Sequence, residues 1–263
     1  MHKKTIGIIA GTGLVQSLDT TIKNIKKYSN VKNKYGVVLS YYVGEYKNLK
    51  VVIIPRHGDS LNQPSRTPFE LVNEKGYEAN IWQLHQEKVD YIISFSAVGC
   101  LDKKIPLSNK KSFIVPNQYI RGLAASSHSF GKDAINIHSN MSSPFNEDLR
   151  KIIIKAITSL GNKVYSNAVY IYNGGDIFET PAEIQVLDKL TNNLFKERVV
   201  GMTTVPECIL SNQLNIPYAV ICSNVNYAEG LSSKKVDHKG TLDVMKVASE
   251  EIVKITKKIL DII

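Results

Sequence analysis

Cysteine is scarce in this 263-residue chain: Cys100, Cys208 and Cys222 stand apart, and no two form a CxxC pair. That excludes a disulfide framework and a zinc knuckle, and leaves the three as small core residues of a protein kept in a reducing compartment. Arginine is scarce too. Only Arg56, Arg66, Arg121, Arg150 and Arg198 are arginines, and the lysines are scattered in pairs such as Lys26-Lys27 and Lys257-Lys258. A net charge of +9 carried in this way, with no aromatic-basic motif, reads as solvated surface that helps attract small anions. No nucleic-acid partner is expected. Long apolar runs are missing: none approaches the roughly 20 residues that span a bilayer. The opening Met1 to Gly7 has no signal-peptide h-region, so no membrane association and a cytoplasmic location are expected. No repeat, low-complexity segment or linker appears, which argues for one domain over residues 1–263.

What is present is a 43% hydrophobic composition arranged in alternating strand and helix signals. Short buried strands are expected at Ile6 to Ala10, Val51 to Ile54, Tyr91 to Phe95, Phe113 to Val115 and Tyr218 to Cys222. Val37 to Val43 and Val164 to Tyr172 read as further strands. Helices are expected at Tyr77 to Gln86, Phe145 to Leu160, Glu183 to Leu194 and Leu242 to Ile263, the last with Met245, Ala248, Ile252, Ile255 and Ile259 on one face. Buried runs separated by helices predict an α/β fold with a largely parallel central sheet. The polar stretches 56–76 and 121–143 are long for compact-domain loops and are candidates for covering a site or an interface.

Several small-residue or polar clusters stand just after predicted strands. Gly11-Thr12-Gly13 allows close backbone approach and offers a hydroxyl to an anion, although taken alone a structural turn is the better explanation. In Arg56-His57-Gly58 the arginine supplies a planar fork suited to phosphate and the histidine a second donor. Ser96 and Ala97 sit at a small-residue strand exit. Asn173 to Glu183 is glycine-rich and then turns into a helix; Phe178 can stack on a flat ring, and Glu179 can accept from a ring N–H or serve as a first-turn acid. Asn224 and Asn226 can bond a heterocycle edge or form an Asx turn. Gly201-Met202-Thr203-Thr204-Val205-Pro206-Glu207 follows Val199-Val200. Thr204-x-x-Glu207 is a capping-box pattern with Pro206 in the first turn, so free N–H groups and the positive dipole end would face an anion. Ligands of open α/β sheets bind beyond the carboxyl ends of strands, where these clusters converge.

Taken in order, Gly11-Thr12-Gly13, Arg56-His57-Gly58, Ala79-Asn80-Ile81-Trp82, Ser96-Ala97-Val98-Gly99, Phe178-Glu179-Thr180-x-Ala182-Glu183 and residues 201–207 resemble the purine nucleoside phosphorylase and methylthioadenosine phosphorylase family of trimeric type, over nearly the whole chain. The resemblance implies a mixed, distorted β-barrel-like central sheet surrounded by helices, a homotrimer or dimer of trimers, and cleavage of a purine nucleoside by phosphate as co-substrate, with no cofactor and no metal. Residue by residue it implies a phosphate site of Thr12, Arg56, His57, Ser96, Ala97 and Thr203, with Met202 on the ribose. Phe178, Glu179 and Asn224 or Asn226 would hold the purine, with Asn224, Asn226 and His57 as the catalytic candidates. His138 resembles a residue lent by a neighbouring subunit, and His238 one that binds a 5′-hydroxyl.

An amide at 224 and 226, where adenine-preferring members resemble Thr-Asp-x-Asp, leans to 6-oxopurines, because a 6-oxo group accepts and an amide N–H donates. The sugar is either a plain ribose or the 5′-methylthio form. A methylthioadenosine phosphorylase and a catalytically weak nucleoside-binding protein are the alternatives. The segment after Arg56-His57-Gly58 departs from the family's His- and Pro-rich loop and carries an apparent insertion through Gly76.

Overall fold

The computed structural model describes residues 3–11, 17–18, 21–59, 65–123, 125–232 and 238–263, excepting the side chains of 238 and 239. Among these residues, eleven strands form one mixed sheet. They are β1 (Thr5–Ala10), β2 (Lys23–Asn33), β3 (Gly36–Tyr46), β4 (Leu49–Pro55), β5 (Tyr91–Cys100), β6 (Ser112–Ile114), β7 (Gln118–Arg121), β8 (Lys163–Tyr165), β9 (Val169–Tyr172), β10 (Arg198–Gly201) and β11 (Tyr218–Tyr227). The α-helices are α1 (Pro68–Asn73), α2 (Gly76–Gln86), α3 (Glu147–Ser159), α4 (Pro181–Thr191), α5 (Thr204–Gln213) and α6 (His238–Ile262).

The sheet is layered between helices because its central strands are apolar on both faces. Along β4, Val52 and Ile54 join the core on one face, with Ile9 and Ile92, while Val51 and Ile53 join the core on the other, with Ile6 and Ile8. Helix α6 closes the second layer. Ala248, Ile252, Ile255 and Ile259 recur at helical spacing and are each at most 1% exposed. Burying each isoleucine is worth about 1.5–3 kcal/mol.

The largely parallel sheet expected from the strand–helix alternation is corrected to a mixed one. β1 pairs parallel with β4 and β5, but β3 runs antiparallel to both β2 and β4, and β10 antiparallel to β5. The run from 164 to 172 is two strands. β8 pairs with β6, whereas β9 pairs with β7 and β10, so the chain changes neighbours between Tyr165 and Val169. The segment 56–76 is only partly loop: Thr67 and Glu70 form a reciprocal capping box with Pro68 in the first turn, and α1 follows.

β5 organises the rest. On one edge it pairs with β11 from Ile92 to Cys100. On its other edge the register with β1 ends at Ser94, and that with β10 begins at Gly99. The sheet forks over the residues between, and the fork opens into a cavity of about 480 Å³.

Candidate active site

The cavity collects most of the residues singled out in the sequence. Arg56 and His57 enter from the end of β4. Ser96 and Ala97 come from the fork in β5, and Met202 and Thr203 from the turn after β10. Phe178 and Glu179 arrive from the loop before α4, and Asn226 from β11. Gly11, at the end of β1, lines it as well, whereas Thr12 lies outside the described residues.

The anion end is rigid and internally bonded. Arg56 is 3% exposed. Its Nε and Nη2 donate to the two oxygens of Glu207, its Nη2 also to Ser94 Oγ at 2.8 Å, and its Nη1 to the Phe95 carbonyl at 3.1 Å. Burial opposes the guanidinium charge, but the Glu207 carboxylate outweighs it and leaves the Arg56 pKa raised. Ser96 Oγ and Thr203 Oγ1 lie 3.5 Å apart. Thr203 is the N-cap residue of α5 yet makes no side-chain capping bond, so its hydroxyl is not consumed by the helix.

This corrects the capping-box reading of residues 204–207. Thr204 is the first helical residue, and Glu207 turns into the core to meet Arg56, 151 positions away in sequence. The turn itself is tight. A Cβ at Gly201 would stand 2.2 Å from Tyr170 Oη, so only glycine fits there.

His57 is also corrected in part. Its Nδ1–H donates to the Arg66 carbonyl at 2.8 Å, because a carbonyl can only accept. Burial and the Arg56 charge hold its pKa down at about 4, against a weaker pull upward from that bond and Asp176. Near neutral pH the ring is therefore uncharged and Nε2 is an acceptor. It can receive a proton-bearing oxygen of hydrogen phosphate, where the sequence reading expected a second donor.

The base end is built from loops. Glu179 is 6% exposed, accepts from Asn173 Nδ2 at 3.4 Å, and has its pKa raised by burial. It precedes the cap of α4, Thr180, so it is not a first-turn acid. Phe178 forms an open rim at 41% exposure.

Asn224 and Asn226, two residues apart on β11, would share a face in a regular strand. A bulge at Val225 breaks the alternation. Asn226 lines the cavity, while Asn224 is fully buried and donates to the carbonyls of Ile105 and Pro106. The structure does not bring Asn224 into the site. Nor does it bring in His138, which is exposed on the segment after the short 3-10 turn Gly131–Asp133. His238 begins α6, and its side chain lies outside the described ones.

Three groups of lining residues escaped the sequence reading. Thr67 and Pro68 come from the start of α1. Asp176 accepts from the Phe69 N–H at 2.8 Å and so links α1 to the Phe178 loop. Leu242 and Met245 come from α6. The capping box at Thr67 was a readable signal for the first group. The other two are long-range contacts that local sequence does not announce.

An α/β sheet forked to hold an oxyanion at one end of a cavity, with a ring and a carboxylate at the other, defines a protein that handles a phosphate beside a flat polar ligand. The match to known proteins is of that class. Residues 5–261 fit the family model described as the phosphorylase superfamily. The chain is 32% identical to the 6-oxopurine nucleoside phosphorylase of Pyrococcus furiosus, covering 95% of this chain and 89% of that one. It is likewise 32% identical to the S-methyl-5′-thioadenosine phosphorylase of Hyperthermus butylicus, over 98% and 88%. Among solved structures, a methylthioadenosine phosphorylase sourced from an Antarctic soil metagenomic library superposes with a TM-score of 0.82 at 23% identity, covering 99% of this chain and 87% of the other. The chain belongs to the phosphorylase superfamily.

Proposed function

We propose that this protein cleaves a 6-oxopurine nucleoside, inosine or guanosine or the 5′-methylthio form of inosine, by phosphorolysis, releasing the free purine and a ribose 1-phosphate. One observation carries the reading. A single cavity holds Arg56, His57, Ser96 and Thr203 at one end and Phe178, Glu179 and Asn226 at the other, and Met202 lines it as well. Those are the groups a nucleoside needs if phosphate is to stand behind C1′ while the purine departs from the opposite side. Holding the two reactants in line supplies much of the rate enhancement, and donors placed where charge develops supply much of the rest. Arg56 and the Ser96 and Thr203 hydroxyls orient phosphate. Glu179 accepts the N1–H of a 6-oxopurine. One amide hydrogen of Asn226 is used by the Tyr227 carbonyl at 3.1 Å, and the other is available to the departing base at O6 or N7.

Phosphate is the co-substrate in this reading, and neither cofactor nor metal enters the reaction. Among the described residues no helix is long and apolar enough to cross a membrane; a cytoplasmic location is part of the proposal. We assign the working form as a homotrimer. His138 stands among exposed Ile135 and Ile137, at 60% and 56% exposure, on a segment suited to reach a neighbour's sugar pocket. The apolar Leu242 and Met245 side of the cavity favours the 5′-methylthio sugar as the second reading. The test is product detection from inosine, methylthioinosine and methylthioadenosine with and without phosphate. Hypoxanthine released only with phosphate is expected; a clear preference for methylthioadenosine, or release by water alone, overturns the assignment.

A further inference from the structure

The Arg56–Glu207 couple does more than neutralise a buried charge. Both side chains are 2% exposed. A guanidinium carries five N–H donors. Four are engaged: Nε–H and one Nη2–H by Glu207, the second Nη2–H by Ser94 Oγ, and one Nη1–H by the Phe95 carbonyl. Among the described residues the fifth, on Nη1, is left for the cavity that Arg56 lines. Glu207 is itself held from the far side. Ser94 Oγ and Tyr218 Oη each donate to its Oε2 at 2.8 Å. Ser94 therefore accepts from the arginine and donates to the carboxylate, closing a ring of bonds.

An arginine on a flexible stem gives up rotamer freedom when it is fixed. Here the fixing is complete before any ligand arrives. The pair is also neutral overall, so what faces an incoming phosphate is an aimed donor rather than a free cation.

We infer that Glu207 is the positioning residue of the phosphate site: with Ser94 and Tyr218 it sets the plane of the Arg56 guanidinium, so that phosphate binding depends on a carboxylate that never touches phosphate. The inference rests on the reading of Arg56 as a phosphate ligand. Glu207→Gln keeps the shape of the side chain but sets an amide N–H against a guanidinium N–H, which forces the plane to turn.

The experiment measures phosphate affinity by equilibrium titration of the folded protein without nucleoside, and then both KM values by turnover. Glu207→Gln is expected to weaken phosphate about tenfold or more, the range of one charged hydrogen bond, with the nucleoside KM moved less than about twofold. Unchanged or tighter phosphate binding overturns the inference, and so does an equal rise in both KM values, which is what general loosening would cause. Should Glu207→Gln not fold, Ser94→Ala removes the bridge, keeps the ion pair, and is expected to show the same split at about threefold. Phosphate binding by the wild type without phosphorolysis would sink the proposed reaction while leaving this inference to stand or fall on the titration alone.

Discussion

The two ends of the cavity are built in opposite ways. At the anion end three groups are held by partners from elsewhere in the chain: Arg56 by Glu207 on α5 and Ser94 on β5, the His57 Nδ1–H by the Arg66 carbonyl, and the Thr203 N–H by Tyr170 Oη. At the base end Glu179 is held by its own backbone N–H and a long bond from Asn173, Phe178 is open to solvent, and Asp176 reaches across to Phe69. An inorganic anion has one shape and rewards a fixed frame, since preorganised donors need no rearrangement when charge appears. A base and sugar vary in their substituents, and loops accommodate that variation.

Breaking the rigid end should have the largest effect. Arg56→Met leaves the Glu207 carboxylate buried without its partner, which typically costs about 3–5 kcal/mol. Thermal or denaturant unfolding should show that loss together with abolished phosphate binding; a variant of wild-type stability would mean that the buried pair is not a structural keystone. At the base end, Asn226→Ala should lower kcat/KM for inosine about 30- to 100-fold, the equivalent of roughly 2–3 kcal/mol for hydrogen bonds to a charged leaving group, with phosphate affinity unmoved. Asn224→Ala should instead lower stability by about 1–2 kcal/mol without changing base preference. Reversed outcomes for these two would assign the base contact to Asn224.

A pH experiment sharpens the comparison. The folded pKa of His57, about 4, lies below its ordinary 6.5. The unfolded chain therefore binds the extra proton first as pH falls, and the folded state loses stability from about pH 6.5 down to about 4, by up to about 3 kcal/mol. Unfolding free energies of His57→Gln should be flatter than wild type over that window; parallel curves would show that the ring is not held neutral. The smallest expected effect is Phe178→Ala, which should raise the nucleoside KM about threefold to tenfold, as expected for a half-exposed stacking ring. No change would place the base elsewhere.

Legibility followed the same division. Central strands such as β1 announced themselves through continuous apolar runs, and the strand-end position of Arg56, Ser96 and Thr203 was readable because glycine and small residues punctuate those exits. β2 was not readable. Its sequence, Lys23 to Asn33, is mostly polar and exposed: among the described residues it is an edge strand bonded only to β3, and lysine there guards against edge-to-edge pairing. Glu207 was misread because three residues suffice to suggest a capping box, whereas its true partner is remote. Asn224 and Asn226 stood undistinguished because a bulge is decided by how β11 must follow β5, and no residue type marks it.

The fork in β5 has a consequence for how this chain can change. Ser96 stands at the anion end and Gly99 resumes pairing beside Asn226, three residues on. At about 3.3 Å per residue the backbone between them measures off some 10 Å, so one stretch of strand acts as the gauge between the two bound reactants. The number of residues between them cannot change: a one-residue insertion or deletion would turn each following side chain to the opposite face and misalign both ends of the site at once. Substrate range is therefore free to vary through the surrounding loops, while the distance between the reacting groups is held constant by the length of a single strand.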